Sequence, residues 1–482
     1  MAKRWWFTIL HQKFKILQVS PYRFNIRLNQ TSTGFSDPIC NRSTGNKIST
    51  LFVPGRHGNV MYQIVKPLID VNYIIENMVK IKHSCNVRDL NFDFESAVIA
   101  IKEWHSVRTD YLLMVDKEQF YAEEIKRLKT IGDEKEASKV IAIRLAFVEN
   151  LKAEKERLLS IEDTVMPLLQ KIPALVHAET PVDSNVSISQ IETFKGGTQP
   201  LSHVEIGEKL SSLQFCDNST MYFMSGKISA LDLGIQMYFF DKFKALEFIP
   251  MSCVDFCKSF IVEAIGCDPY SNSDTIPLHE KTSKEIGQKL HLCGGASFES
   301  FCAYLTNMNV DKSNLPLKYF SLGRRYNARN RESGNKDLFS VIQSTNLHYA
   351  IISECLSSDD FDSLFQEMVT LYKEIKIPFQ TVDVAAKNLN VAESRRKQLE
   401  LWSPSRNHYV PVAHLSQHND FISKRLNITY GIQHANEGYC HIMEGVSVNV
   451  PVLIGCIIEN LQIENDFDIP GVLQKNFRLF SS

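Results

Sequence analysis

The segment from Phe94 to Leu169 is the feature that most constrains the fold. It contains a single glycine and a single proline, and its apolar residues recur at helical spacing in two stripes. The first stripe comprises Val98, Ile101, Trp104, Val107, Tyr111 and Val115, and the second comprises Ile141, Leu145, Val148, Leu151, Leu158, Ile161 and Val165. Between them, Gly132 can end one helix and Asp133 can cap the next. The sequence therefore predicts a long antiparallel helical hairpin, or coiled-coil arm; two ordinary helices of a globular domain are the alternative.

The first 50 residues are strongly basic. They carry eight lysines or arginines against one acid, Asp37, with aromatic residues between them. This composition predicts an amphipathic mitochondrial transit peptide over residues 1–45, and hence a location in the mitochondrial matrix. A disordered basic tail is the alternative. The longest apolar run of the body, residues 445–458, is interrupted by Asn449 and Pro451 and is too short to cross a bilayer, so we expect no membrane association.

The pattern changes to mixed helix and strand after a linker rich in proline and glycine that ends near residue 200. Helical periodicity covers residues 230–244 and 360–375, whereas runs rich in β-branched residues at 410–415 and 446–453 predict strands, the second followed by a helix over 454–462. This favours an α+β domain with a mostly antiparallel sheet. The predicted organisation is a helical arm domain over residues 60–180 and a second domain over residues 200–482.

Several short motifs occur in a fixed order along the body. They are Ile172-Pro173 with His177, then Pro200, His203, Gly207 and Leu210, then Leu315-Pro316, then Glu400-Leu401-Trp402-Ser403-Pro404, then Asp420-Phe421 with Arg425, and finally Glu459-Asn460 with Gln462. Together they resemble the seryl-tRNA synthetase family and, more narrowly, a non-aminoacylating synthetase-like branch from insect mitochondria. The resemblance implies a class II aminoacyl-tRNA synthetase-like antiparallel sheet domain, with the arm as the limb that recognises tRNA.

The resemblance also implies a catalytic centre whose charged residues are missing here. Forming an aminoacyl-adenylate builds negative charge on a phosphate, which positioned guanidinium groups and metal ions must neutralise. Asn327 and Val452 stand where the family has phosphate-binding arginines, and Arg329 stands where it has a carboxylate. The serine-binding and metal-binding carboxylates are likewise replaced. The degenerate positions are Gly295, Ser297, Asn327, Arg329, Pro411 and Val452. We therefore expect no catalytic residues and no aminoacylation.

The tip of the arm is the predicted RNA-binding surface. Its basic residues are Lys126, Arg127, Lys129, Lys135, Lys139 and Arg144. Such side chains contact phosphates with little sequence specificity. Acidic residues are interleaved, so an ordinary solvated coiled-coil surface is the alternative. The resemblance implies serine tRNA or another mitochondrial RNA as the ligand. Because Val254 replaces a proline of the family's dimer interface, we expect a heterodimer with the mitochondrial seryl-tRNA synthetase; a homodimer is the alternative.

Cysteine and histidine spacing predicts no metal site and no cofactor. The eleven cysteines form no Cys-x-x-Cys pair. Five histidines of the second domain are scattered singly and are expected to be packed or solvated: His291, His348, His414, His418 and His441. The sequence thus favours a catalytically inactive synthetase paralogue that binds RNA. An active, divergent serine–tRNA ligase and a protein-interaction scaffold without RNA binding are the alternatives.

Overall fold

The computed structural model describes residues 49–53, 64–191, 200–216, 220–271, 275–278, 289–329, 336–432 and 435–481. The predicted transit peptide, residues 1–45, lies outside these ranges. Within them, no helix combines the length and the apolar character that a membrane span requires.

Four helices form the N-terminal part of the described chain: α1 (Val71–Glu76), α2 (Met78–Val87), α3 (Phe94–Ile131) and α4 (Glu134–Lys171). Helices α3 and α4 are the predicted hairpin, which is confirmed. Gly132 ends α3 in the left-handed conformation, with φ of 84°, a conformation that glycine adopts without steric cost. The Asp133 side chain then accepts a hydrogen bond from the Glu136 amide at 3.1 Å and so caps α4. The turn chemistry visible in the sequence thus fixes the tip of the arm.

The two arm helices pack most tightly at the base of the arm. Trp104 and Leu158 are buried there, and nearer the tip the rings of Tyr121 and Phe147 meet edge to face with centroids 5.7 Å apart. The predicted second stripe is wrong at one position, because Leu145 is 65% exposed. The domain boundaries at 60–180 and 200–482 stay a prediction.

The rest of the described chain alternates short strands and helices. Its helices are α5 (His203–Lys209), α6 (Gly226–Ala245), α7 (Ser259–Ala264), α8 (Phe298–Leu305), α9 (Ser358–Ile375), α10 (Phe421–Leu426), α11 (Val450–Asn460) and α12 (Gln474–Arg478). Its strands are β1 (Val186–Ile191), β2 (Leu213–Phe215), β3 (Tyr222–Met224), β4 (Ile249–Pro250), β5 (Phe256–Lys258), β6 (Ile276–Pro277), β7 (Leu290–Leu292), β8 (Asn309–Val310), β9 (Leu317–Tyr326), β10 (Gln343–Ser353), β11 (Phe379–Asp383), β12 (Arg395–Ser403), β13 (His408–Asn419), β14 (Thr429–Ile432), β15 (Ala435–Tyr439), β16 (His441–Asn449), β17 (Gln462–Ile463) and β18 (Asp466–Phe467).

Eight of these strands form the central sheet, in the order β1-β11-β12-β13-β16-β10-β9-β4. Every pairing in it is antiparallel except that of β4 with β9. Side chains alternate between the two faces along each strand. On β10, Tyr349 and Ile351 join a core with α6, α9 and α11, whereas Ala350 and Ile352 join a second core with α7, α8, α10 and the base of the arm. The predicted α+β class and antiparallel sheet are confirmed.

The predicted strand over residues 446–453 is too long. Strand β16 ends at Asn449, and α11 begins at Val450. The Asn449 side chain accepts a hydrogen bond from the Val452 amide at 3.4 Å, and Pro451 lies in the first turn, where its missing N–H costs nothing. The valines around Pro451 favour a strand by composition, but this cap converts them into the start of a buried helix.

Candidate functional site

The motifs that carry the family resemblance lie together as a scaffold. The Gln462 amide group exchanges two hydrogen bonds with the backbone of Leu201, of 3.2 and 2.6 Å, and Asn460 donates to the Trp402 carbonyl at 2.8 Å. Separately, the buried Arg425 guanidinium donates to the Gln170 carbonyl at 3.2 Å and thereby attaches α10 to the end of the arm. These side chains therefore hold separate parts of the chain together through hydrogen bonds.

Gly295 and Ser297 belong to a buried turn that starts α8. The Ser297 hydroxyl donates to the Gly294 carbonyl at 2.7 Å and accepts from the Ser300 amide at 3.4 Å, as a helix N-cap does. A Cβ at position 295 would lie only 2.9 Å from the Cys253 carbonyl oxygen. The turn therefore leaves no room for a larger residue at 295, and the hydroxyl at 297 is occupied by its own helix.

Asn327 and Arg329 follow the end of β9, and both are exposed. The Asn327 amide donates to the Ile342 carbonyl at 2.7 Å, and its side-chain oxygen accepts from the Arg329 amide at 3.1 Å. The neutral Asn327 side chain thus stabilises its own loop.

Pro411 is an exposed residue of β13 opposite Glu400 of β12, at a point where the register of the two strands shifts. Proline has no N–H to donate to a strand ladder and is tolerated at such irregularities. The Glu400 carboxylate accepts hydrogen bonds from Gln380 at 2.7 Å and from Gln398 at 2.5 Å. The carboxylate retained on β12 is therefore paired within the sheet.

Val452 lies in the first turn of α11 and is 2% exposed. It belongs to the larger apolar core, together with Val450 and Leu453 of the same turn. Strands β13, β16, β10 and β9 are consecutive neighbours in the central sheet. Pro411 on β13, Asn327 and Arg329 after β9, and Val452 after β16 therefore lie on or beside adjacent strands, whereas Gly295 and Ser297 lie in the turn before α8.

Three histidines around one carboxylate are the feature that sequence reasoning missed. Glu444 of β16 is buried, and its carboxylate oxygens lie 3.0 Å from His348 Nε2, 3.8 Å from His414 Nε2 and 3.4 Å from His418 Nε2. We refer to His348, His414, His418 and Glu444 as the histidine cluster.

A signal for part of this cluster was present in the sequence. His414 and His418 are four residues apart, and residues at even spacing along a strand share one face of a sheet. Ser416 lies between these two histidines on β13, and it pairs with Glu444 on the neighbouring strand β16. His348 comes from β10, on the other side of β16. His348 and Glu444 are almost a hundred positions apart in the sequence, so their contact could be found only from the strand pairing.

Glu393 extends the histidine cluster from the turn before β12. Its carboxylate accepts hydrogen bonds from the Ser416 hydroxyl and the Asn390 amide, both at 2.8 Å, and contacts the Arg396 guanidinium. Glu393, His418 and Glu444 each offer one potential ligand atom, and these atoms lie within 4.8 Å of one another. The predicted absence of a metal site stays a prediction.

The predicted RNA-binding residues all lie around the α3–α4 turn or along the adjoining helices. Three of them are ion-paired: Arg127 with Glu124, Lys139 with Glu136 at 2.8 Å, and Arg144 with Glu118 of the opposite helix. The other three, Lys126, Lys129 and Lys135, are exposed, and none forms an ion pair with another described residue. These three lysines, the tip lysines, carry positive charge that an anionic ligand can use.

The arm and the antiparallel sheet together define a class II aminoacyl-tRNA synthetase-like protein. No protein-family model matches the chain. In structure, it is similar to the seryl-tRNA synthetase of Pyrococcus horikoshii in complex with ATP, with a TM-score of 0.72 at 20% identity over 85% of this chain and 98% of that one. The cytoplasmic serine–tRNA ligase of Naegleria fowleri gives a TM-score of 0.69 at 18% identity.

Sequence comparison supports the same family. The chain is 24% identical over 431 residues to the serine–tRNA synthetase-like protein Slimp of Drosophila melanogaster, covering 87% of this chain and 90% of that protein. It is also 24% identical over 427 residues to the serine–tRNA ligase of Treponema denticola, covering 84% and 98%. The resemblance to the class II seryl-tRNA synthetase family that we inferred from the motifs is confirmed.

Proposed function

We propose that this chain is a catalytically inactive paralogue of seryl-tRNA synthetase that binds tRNA without charging it. The observation that carries the proposal is the burial of Val452, which is 2% exposed in the apolar core, at a position where the motif resemblance leads us to expect a phosphate-binding arginine. An alkyl side chain there cannot neutralise a nucleotide phosphate, and removing one such donor typically costs about 3–4 kcal/mol of transition-state stabilisation.

The other degenerate positions support the same conclusion. Asn327 is neutral and bonded to its own loop, Pro411 has no polar side-chain atom, and the Ser297 hydroxyl caps α8. Together they leave the charge of an attacking carboxylate and of a triphosphate without the partners that adenylate formation requires.

The arm supports retention of RNA binding. Its tip lysines are exposed on a rigid hairpin whose turn is fixed by Gly132 and Asp133. Lysines in such a position contact phosphates and give an affinity that falls as salt is added. Serine tRNA is the proposed ligand, because the chain is similar to serine–tRNA ligases over most of their length.

We also propose that the protein works in the mitochondrial matrix as a dimer, with a mitochondrial seryl-tRNA synthetase as partner. The proposed mitochondrial location is based on the basic N-terminal segment. The dimer rests on the segment around Val254, where Ile249, Val254 and Phe256 are 51%, 58% and 46% exposed. Three large apolar side chains exposed so close together are typical of a surface that another subunit covers. Import of the full chain into isolated mitochondria, followed by co-purification, tests both points.

The deciding experiment is serine-dependent ATP–pyrophosphate exchange by the purified full chain. The serine–tRNA ligase of Treponema denticola serves as the positive control in the same buffer. We expect no exchange above background and no change in melting temperature with ATP, together with retention of a serine tRNA transcript on a filter.

Exchange clearly above background would overturn the proposal in favour of a divergent ligase. Absence of both exchange and tRNA retention would instead favour a protein-interaction scaffold.

A further inference from the structure

We propose that the central sheet holds a zinc ion, bound by Glu393, His418 and Glu444. The inference is independent of the proposed RNA binding. The three residues come from the turn before β12, from β13 and from β16, and all three are buried. Imidazole nitrogen and carboxylate oxygen are ligands that Zn²⁺ prefers, whereas Mg²⁺ and Ca²⁺ favour all-oxygen sites.

The hydrogen bonding of His418 prepares one ring nitrogen for a metal. Its Nδ1 lies 2.9 Å from the Ala392 carbonyl oxygen, which can only accept, so Nδ1 carries the proton. In the neutral ring, Nε2 then presents a lone pair towards Glu444 Oε1, 3.4 Å away. Two acceptors face each other across this gap, and a cation between them satisfies both. A second hydrogen bond that fixes the tautomer and ring orientation is characteristic of metal-binding histidines.

Unsatisfied polar atoms point to the same place. Among the described residues, neither Glu444 Oε2 nor either ring nitrogen of His348 has a hydrogen-bond partner of acceptable geometry, although His348 Nε2 lies 3.0 Å from that oxygen. Both side chains are more than nine-tenths buried. Burying polar groups without partners costs free energy, and a bound cation would satisfy Glu444 Oε2 and a ring nitrogen of His348.

The charges around Glu444 favour a cation. Of the two buried carboxylates in this region, Glu393 is contacted by the Arg396 guanidinium and lies beside the buried Arg88, which donates to its backbone carbonyl. Among the described residues, Glu444 contacts histidines and neither arginine nor lysine. A zinc ion would give Glu444 a positively charged partner, and His348 and His414 flank it as further nitrogen donors.

An aromatic side chain lines the site, and one edge of the site is accessible to solvent. Phe298 of α8 stacks on the His418 ring with centroids 5.0 Å apart and also faces the His348 ring at 6.2 Å. The His414 side chain is 22% exposed, so this edge gives an ion access from solvent. Zinc bound here would connect the turn before β12 with β13 and β16, and would stabilise the fold.

The first test measures metal in the full chain, purified without a histidine tag. We expect about one equivalent of zinc per chain by elemental analysis, consistent with a mononuclear site. Removing zinc with a chelator should lower the melting temperature by several degrees, and adding Zn²⁺ but not Mg²⁺ should restore it. Co²⁺ should replace zinc and give the intense visible bands of a low-symmetry site.

Variants then locate the ion. His418→Gln and Glu444→Gln should lose most of the zinc, whereas His418→Cys should keep it and change the Co²⁺ spectrum by introducing a sulfur ligand. The matched control is His291→Gln, because His291 is a buried histidine that instead bonds to the Ser259 hydroxyl. Should the glutamine variants fail to fold, His418→Cys and the wild-type spectrum still decide.

Two results would overturn the proposal. The first is a wild-type chain that neither contains zinc nor takes up Zn²⁺ or Co²⁺ stoichiometrically. The second is an equal zinc content in wild type, His418→Gln and Glu444→Gln. Either result would mean that the histidine cluster is a buried hydrogen-bonded network without a metal ion.

Discussion

The Nδ1 atom of His203 donates a hydrogen bond of 2.6 Å to Glu459 Oε1, between the start of α5 and the end of α11. The other ring nitrogen accepts from the Leu338 amide at 3.1 Å, which fixes the tautomer. Ser403 and Ser405 donate their hydroxyls to the same carboxylate at 2.6 and 2.8 Å. Three separate motifs of the sequence thus converge on one buried carboxylate, which stabilises the fold.

Glu459→Gln should therefore destabilise the protein in a pH-dependent manner. Burial would raise the pKa of the Glu459 carboxyl, but the hydrogen bonds from His203 and the two serines outweigh it and hold the pKa below its ordinary value of 4.5. A group with a lowered folded-state pKa stabilises the fold above its unfolded-state pKa, and this contribution is lost as the pH falls through the folded-state value. At pH 7 we expect a loss of about 1.5–3 kcal/mol in the free energy of unfolding.

Urea denaturation at pH 7 and at several values below pH 4.5 measures the effect. The difference between wild type and Glu459→Gln should shrink in the acid series. Glu464→Gln, which changes an exposed glutamate nearby in the chain, is the control and should be close to neutral at every pH. A difference that stays constant with pH would show that the charge of Glu459 is not what stabilises the fold.

Trp104→Ala should loosen the base of the arm. The Trp104 side chain is 3% exposed, and its indole N–H lies 3.4 Å from Glu162 of the opposite helix. Truncating a buried tryptophan typically costs about 3–5 kcal/mol. Phe120→Ala on the same helix is the control, because Phe120 is 62% exposed and its loss should change the free energy by less than about 0.5 kcal/mol. Equal denaturation midpoints for the two variants would contradict this description of the arm.

Charge reversal at the tip lysines should weaken binding of tRNA. Lys126→Glu, Lys129→Glu and Lys135→Glu together remove three exposed cations that have no ion-pair partner among the described residues. Each lysine that no longer neutralises a phosphate should reduce the dependence of affinity on salt, so the slope of log K against log salt should become shallower by about 2–3. Filter binding of a serine tRNA transcript from about 50 to 200 mM salt, a range over which phosphate binding changes affinity strongly, provides the measurement.

The matched control reverses the charge of three exposed lysines elsewhere, by substitution with glutamate: Lys244, Lys373 and Lys475, on α6, α9 and α12. It makes the same change in net charge. If both triple variants bound tRNA with equally reduced affinity, the arm tip would have no special role and only the overall charge would matter.

The arm was predictable from sequence because its contacts are local or nearly so. Helical periodicity and the Gly132–Asp133 turn suffice to define it, and the one wrong residue, Leu145, reflects a small error of phase around α4. The start of α11 was harder, because the valines beside Pro451 favour a strand and only the Asn449 cap decides otherwise.

The histidine cluster shows where single-sequence inference ends. The assignment of Pro411 and Val452 as degenerate positions comes from the motif resemblance and stays a prediction. His348 and Glu444, however, meet across the β10–β16 pairing, and a bulge between Leu347 and His348 adjusts that register. A one-residue change of register sends a side chain to the other face of a sheet, so this contact depends on geometry that spacing along the chain does not contain.

Val452→Arg, which introduces the arginine that the family resemblance leads us to expect, should not produce catalysis. The position is 2% exposed within the apolar core, and Ser297 stands where the resemblance leads us to expect the serine-binding carboxylate. Placing a guanidinium there without a partner should cost about 3–5 kcal/mol in the free energy of unfolding, measured by urea denaturation beside ATP–pyrophosphate exchange. Asn327→Arg is the matched variant at an exposed position, and its stability should fall by about 1 kcal/mol at most, because it loses only the hydrogen bond from the Arg329 amide. A stable Val452→Arg chain that gained serine-dependent exchange would show that the active site needs only this one charge, against the coordinated loss proposed above.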